Sequence, residues 1–342
     1  MRGFLSGLLF FVSISISAQT LSKASFDQLK KMEDSMKIYG RKMIMDKIAS
    51  QRFIADSIFI RMLVRSLRTP NSFDYPFDSL ETVSHIYAPD STFRIFSWQF
   101  SRDEDYYRQR GAIQVKTTDG SLQLFPLVDM SDFTTAPGDS VRTGQNWIGA
   151  IYYSIIMKIF NGKKYYTLLG FDDNNMRSTK KWIEVLTFEK GKPVFGGPYF
   201  SVPDDNAKAS YPLARYSMEY KKDGRARMNY DKDLDMIIYD HLISESNEPS
   251  KPYTMVPDGD YQGFKWQNGK WSQIDKVFDY KLQDGQAPVP APIKNINGKS
   301  NEMKLMQQSE KNRQKQQQQS PAKPPATRPA EKKPVKEVQE SF

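Results

Sequence analysis

The chain has no cysteine and only two histidines in 342 residues. The first absence excludes disulfides, thiol nucleophiles and cysteine-based zinc sites. It also removes the residue through which a bacterial lipoprotein is anchored, so no lipid anchor is expected. The scarcity of histidine thins the acid–base repertoire, because histidine is the side chain whose ordinary pKa lies nearest neutrality. His85 and His241 fall in different predicted units, and nothing in their spacing assembles a Ser-His-Asp relay.

Long hydrophobic runs are also lacking. The apolar stretch from Phe4 to Ile16 is interrupted by serines and falls short of the roughly 20 apolar residues that cross a bilayer. Arg2 precedes it and the small pair Ser17-Ala18 follows it, the layout of a secretory signal peptide cut after Ala18. Residues 1–18 are therefore expected to be a signal peptide. The expected location is exported, periplasmic or extracellular.

What is present divides the remainder into three parts. Residues 19–69 and 286–342 are basic: residues 21–69 and residues 286–342 each carry eleven Lys/Arg against five Asp/Glu. With Arg2 these segments sum to +13, so the body, residues 70–285, is −4 within a chain of +9. The sequence pI of 9.3 thus describes the arms and not the body. Such arms would feel anionic membrane or polysaccharide, and nothing points to specific nucleic-acid recognition.

In the first arm, Phe26, Leu29, Met32, Met36, Tyr39 and Met43 recur at helical spacing, and Ile54, Ile58, Met62, Leu63 and Leu67 extend the stripe. One basic amphipathic helical segment is predicted, with Ser25 as its N-cap and weak interruptions at Gly40 and Ser50. Its stripe is expected to dock on the following domain, with a membrane-surface role as the alternative. Thr69-Pro70 stops it.

From residue 80 onward, short β-branched and aromatic runs alternate with turn signals such as Asp119-Gly120, Asn161-Gly162, Asp223-Gly224 and Asn268-Gly269. Residues 70–285 are predicted to form a mainly all-β antiparallel domain, propeller-like or layered. Its sets of strands are 83–127, 148–199, 215–239 and a final hairpin at 261–277. Aromatic residues at alternate positions, Phe96 with Trp98 and Phe264 with Trp266, read as same-face packing pairs. After Gly285 the composition turns to Pro, Lys and Gln, and residues 286–342 are predicted to be a disordered tail. Gly298-Lys299-Ser300 resembles the end of a phosphate-binding loop, but the glycine required upstream is Ile293.

Metal-ligand patterns are sparse. Asp231, Asp233 and Asp235 alternate like the start of a calcium loop, but Met236 stands where glycine is required and Leu242 where a glutamate is. Asp172, Asp173 and Asn174 leave a predicted strand with three oxygen-bearing side chains and are the one calcium candidate, set against the turn preference of the same residue types. No cofactor motif is present.

The runs FRIFSW at 93–98, YYTLLGFDDNN at 165–175, WIEVLTFEKGKPVFGGPYF at 182–200, MIIYDHL at 236–242 and PDGDYQGFKWQNGKW at 257–271, taken in this order, resemble a group of uncharacterised exported proteins of Bacteroidetes-type bacteria. The resemblance spans roughly residues 70–278. It implies an extracytoplasmic home and brings no activity, cofactor or site residue. The expected function is a non-catalytic envelope module that binds a partner protein or glycan through the β domain. The alternative is an extracytoplasmic hydrolase of polysaccharide or peptide, for which a cleft with two carboxylates or a buried His-carboxylate pair would speak.

Overall fold

The computed structural model describes residues 20–103, 106–203, 211–278 and 293–319. The expected signal peptide lies outside the described residues.

Two helices open the chain, α1 (Lys23–Met45) and α2 (Ala49–Leu67). They pack against each other as a hairpin where one continuous stripe was expected. The break falls at Asp46 to Ile48, where the Asp46 carboxylate accepts from Ile48 N at 2.9 Å. The Arg52 guanidinium binds the carbonyls of Asp46 (2.8 Å) and Lys47 (3.2 Å) and so satisfies the turn's backbone. The break shifts the register. Leu29, Met36, Met43, Leu63 and Leu67 are buried as the spacing predicts, but Ala55 and Phe59 complete the buried row of α2, while Ile54 is exposed. Gly40 does not interrupt α1. A Cβ there would meet Thr82 Oγ1 at 2.7 Å, so the glycine lets the helix lie close to the chain beneath it. The N-cap is Ser22, whose hydroxyl accepts from Ser25 N.

The body is mainly β, in three sheets. The first is the antiparallel series β1 (Ser84–Tyr87), β2 (Phe93–Ser101), β3 (Tyr107–Val115) and β4 (Gln123–Leu127), the four-stranded unit that the sequence pattern predicts. The second runs β5 (Arg142–Thr143), then β9, β8, β7 and β6 in space, where β6 is Ile151–Phe160, β7 Lys163–Asp172, β8 Ser178–Glu189 and β9 Lys192–Phe195. The Asn161-Gly162 turn joins β6 to β7 with positive φ at both residues, which an Asn-Gly hairpin turn requires.

The third sheet contains β10 (Phe200–Val202) and β11 (Tyr211–Leu213), while β12 (Arg215–Lys221) crosses to the second sheet and pairs with β8. β13 (Met228–Asp231), β14 (Met236–Ser244), β15 (Met255–Gln267) and β16 (Lys270–Ile274) complete it. The sets inferred from spacing are thus regrouped. β12 leaves the third set because its residues pair with Ser178 to Glu184, along the stretch of β8 that β9 leaves open. A parallel pairing of β10 with β16, Phe200 beside Trp271 and Ser201 beside Ser272, and a parallel bridge between Asp129 and Trp147 depart from the all-antiparallel expectation. Sheets of four and six strands show no repeating four-stranded blade, so the propeller-like expectation is not met.

Alternation along the strands assigns the layers. Phe96 and Trp98 of β2 face α1 and α2 and join Met36, Phe59 and Leu63 in one core. Phe93 and Ile95 point the other way, to Tyr166 and Leu168 of β7 and Trp182 and Leu186 of β8. The opposite face of the second sheet, through Leu169, Ile183 and Val185, meets Ile237, Phe264 and Trp271 of the third. The order is helical hairpin, first sheet, second sheet, third sheet.

The segment expected to be a disordered tail is ordered in part. An α-helix, α3 (Glu302–Gln319), follows a bridge between Lys294 and Ser300. Leu305 is buried, and Glu302 pairs with Arg177 at 2.6 Å, whose guanidinium lies 3.4 Å from the Tyr253 ring centroid. Composition understates this segment because a single buried leucine and a few charged contacts dock it on a body that supplies the apolar surface. Residues 320–342 lie outside the described residues.

Candidate functional site

The first and second sheets part at one end of their shared core, and a cleft of ≈ 210 Å³ opens there. Alternation explains its lining. In β3, residue 109 shares the inward face with Ile113. In β7, residue 172 shares it with Leu168, and in β8, Lys180 and Trp182 precede Glu184 and Leu186 on that same face. Gln109, Asp172, Lys180 and Trp182 therefore converge from three strands, while Tyr106, Tyr107 and the loop residues Ser131, Asp132 and Thr134 form the rim.

Asp172 sits at the centre. It is buried, and its Oδ1 accepts from Gln109 Nε2 at 2.5 Å and from Asn174 N at 2.8 Å. Burial pushes its carboxyl up from the ordinary 3.8 to about 6, against the opposing pull of the Asn174 amide and Lys180. Two further groups stand out because they have no partner. Gln109 Oε1 and Trp182 Nε1 are buried polar atoms without a hydrogen bond, in side chains that line the cleft. A buried donor or acceptor left unpaired costs about 1–3 kcal/mol; of the six such atoms among the described residues, these two are the ones in side chains that line the cleft.

The walls are held from behind. Asp129, buried beside the cleft, accepts from Gln109 N (3.1 Å), Ser131 N (3.0 Å) and the Ser131 hydroxyl (2.7 Å), and so fixes β3 and the 131–134 loop together. Gly149, at φ +76°, leaves room for this carboxylate, since a Cβ would lie 2.8 Å from Asp129 Oδ1. Arg102 and Arg108 pair with Asp132 on the rim. Deeper on β8, Glu184 and Arg215 form an ion pair at 3.0 Å with both side chains fully buried. Tyr152 donates to Glu184, Trp147 Nε1 donates to Tyr152 Oη at 2.6 Å, and Arg215 binds the carbonyls of Pro137, Ser140 and Phe195. This anchors the loop that carries Pro137 into the cleft wall.

Of the calcium candidates, Asp172 and Asn174 line the cleft, but the three do not converge. The Asp173 carboxylate meets Lys222 Nζ at 2.5 Å, and the Asn174 amide donates to Ser178 Oγ (2.8 Å) and Glu219 (2.9 Å). Among the described residues, no group of three or more His, Cys, Asp or Glu side chains is placed to hold a metal. Asp231 accepts from Asp233 N and Leu234 N within a turn, and Asp235 pairs with Lys158. His85 and His241 belong to different sheets, and neither lines the cleft. His241 Nδ1 lies 2.7 Å from Asp258, with the ring 38% exposed, so the pair is not a buried one.

The sequence reading found Asp172 and Asn174 and missed Gln109, Lys180, Trp182, Tyr106 and Asp129. The alternation of β8 that places Lys180 and Trp182 inward with Leu186 was legible in retrospect, but which sheet faced it was not. No known protein family, curated protein or solved structure matches the chain. Among the described residues, no helix is long and apolar enough to cross a membrane.

Proposed function

We propose that the protein is an exported, non-catalytic envelope module that binds one ring, or the end of a chain, of a glycan in the cleft between its first and second sheets. The observation that carries the reading is the pair of buried, unpartnered atoms, Gln109 Oε1 and Trp182 Nε1, beside the Asp172 carboxyl. A sugar ring offers closely spaced hydroxyls that both donate and accept. The cleft answers with an acceptor at Gln109, a donor at Trp182, and further polar groups at Lys180, Asn174 and Ser131. Tyr106, 55% exposed on the rim, offers an apolar ring for stacking. At ≈ 210 Å³ the cleft is smaller than the roughly 300–1,000 Å³ of drug-sized sites, which suits one ring and not a long polymer. Export rests on the residue 1–18 pattern.

A second reading, hydrolysis of the same kind of ligand, draws on Asp172, whose pKa of about 6 suits a general acid. Asp132 is the other carboxylate of the cleft, but it is engaged by Arg102 and Arg108 and does not stand free as a nucleophile or base.

Calorimetric titration with a panel of envelope-derived oligosaccharides tests both. The binding reading expects at least one member to bind without turnover, and Tyr106→Ala to weaken it about fivefold or more, in line with about 1 kcal/mol for ring stacking. Product release that disappears in Asp172→Asn would replace binding with hydrolysis. No binding by any member sinks the glycan reading.

A further inference from the structure

One row of apolar side chains of the helical hairpin is buried against the first sheet, while others stay exposed, among them Phe26, Ile38, Ile54 and those at the turn. Ile44 and Met45 end α1, Ile48 precedes α2, and all three are exposed, Met45 at 79%. The turn does not stand alone. Arg52, which binds its carbonyls, also donates through Nε to Ser101 O at 2.7 Å, and the neighbouring Arg102 pairs with Asp132 at 3.2 Å. These links bring Phe133, 77% exposed, and Tyr106 to the same end of the molecule. Five exposed apolar side chains thus share one end.

Charge accompanies them. Residues 41–52 carry Arg41, Lys42, Lys47 and Arg52 against Asp46; Arg52 is buried on the turn's carbonyls and Arg41 pairs with Glu81, which leaves Lys42 and Lys47 as the exposed positive charges beside the tip. Asp46 accepts from the Ile48 amide, and Arg41 and Lys42 lie on the last turns of α1. An exposed apolar turn flanked by lysines matches the chemistry of an interface between hydrocarbon and anionic headgroups. Clustered exposed apolar groups of this kind mark contact surfaces.

We propose that the α1–α2 turn, with Phe133 beside it, docks the protein on an anionic lipid surface by inserting Met45 and Ile48 at headgroup depth. Lys42 and Lys47 select the occupant: an anionic lipid surface meets both the apolar tip and their charge at once. The proposal stands on the turn and does not depend on what the cleft binds. It also corrects where the first arm meets a membrane. The amphipathic stripe, for which a membrane-surface role was the alternative to docking, packs on the first sheet, and the membrane contact passes to the tip.

Co-sedimentation of the processed chain with vesicles tests this, using phosphatidylcholine alone and phosphatidylcholine with about 30% phosphatidylglycerol. Binding is expected to the anionic vesicles and to weaken as salt rises. The variant Met45→Glu/Ile48→Glu is expected to lose at least about tenfold in affinity, with its melting temperature unchanged because both side chains are exposed. Ile159→Glu, also exposed but at the far end of the β6–β7 hairpin from Asp172, is expected to bind as the parent does. If the double variant does not fold, Lys42→Gln and Lys47→Gln carry the test, at about fivefold loss for each charge. Equal binding by parent and tip variants overturns the proposal, as does absence of binding by the parent. Self-association lost in the tip variant, without vesicle binding, overturns it in favour of a second copy of the chain.

Discussion

Trp182 and Glu184 are successive inward positions on β8, yet they belong to two regions that treat buried polarity in opposite ways. At Glu184 the network is closed: Arg215 and Tyr152 satisfy the carboxylate, and the remaining guanidinium donors reach three backbone carbonyls. At Trp182, nearer the mouth, an indole N–H and the Gln109 carbonyl oxygen end without partners. The closed network fixes one arrangement of the loop behind the cleft, whereas the open one carries a standing cost in the unliganded protein that a ligand can offset. Burial alone does not distinguish a structural polar cluster from a binding one; unpaired atoms count toward binding where, as at Gln109 and Trp182, their side chains also line a cleft, unlike Ser140 Oγ and Arg142 Nε.

The largest effect should come from opening the closed network. Arg215→Met leaves Glu184 buried without its cation and three carbonyls without a donor, and breaking a buried pair in this way costs about 3–5 kcal/mol. At roughly 2–4 °C per kcal/mol for a body of this size, calorimetry should show the melting temperature fall by about 6 to 20 °C. Adding Glu184→Leu to Arg215→Met should recover much of that loss, since an apolar pair of similar volume needs no compensation. A single variant that melts like the parent would erase the contrast between the two regions.

A smaller effect of opposite sign is expected in the cleft. The Asp172 carboxyl is raised from 3.8 to about 6 in the folded protein, so between these values the folded state binds the proton that the unfolded state has released. Stability contributed by this group is present below about pH 4, declines as pH rises through the folded value, and is absent above about 6. Asp172→Asn keeps an oxygen for Gln109 Nε2 and Asn174 N but carries no charge. It should raise stability at pH 7.5 by about 1–3 kcal/mol, the upper figure being roughly the two-unit shift at 1.36 kcal/mol per unit. Urea midpoints taken from pH 4 to 8 should show the parent's decline relative to the variant, and parallel curves would remove Asp172 as a strained group.

What the sequence displayed, and what it hid, follows the same division between local and non-local causes. Asn161-Gly162 and Asn268-Gly269 announced their hairpins because positive φ at both residues is a local demand. The pairs Phe96 with Trp98 and Phe264 with Trp266 announced same-face packing because alternation is local too. After residue 45 the helix stripe held at Leu63 and Leu67 but misled at Ile54, since its register was carried across a turn made by Asp46 and the distant hold of Arg52 on Ser101. The cleft was half visible. Asp172 and Asn174 sit in one run, but Gln109, Trp182 and Asp129 join them only through the stacking of two sheets, and no spacing in the chain encodes that.

The smallest stability change, and the sharpest test of the comparison, belongs to Trp182. Its ring packs in the core between the first and second sheets while its Nε1 lacks a partner. Trp182→Phe removes the unpaired donor, a gain of about 1–3 kcal/mol if its burial carries the usual penalty. It also shrinks the ring and leaves a small gap, a loss of the same order in a packed core. The two should nearly cancel, leaving the unfolding free energy within about 1 kcal/mol of the parent. Ligand affinity has no such cancellation. If the cleft uses the indole N–H to hold a hydroxyl, its removal should weaken binding about tenfold, the equivalent of one hydrogen bond at about 1.4 kcal/mol. Trp147, whose Nε1 is already bonded to Tyr152, provides the control: Trp147→Phe should destabilise the protein, because it breaks a satisfied contact in the closed network. Loss of affinity without loss of stability at 182, and loss of stability at 147, is the pattern that separates a binding donor from a structural one. Similar destabilisation at both positions would place Trp182 in the structural class and leave the cleft without its donor.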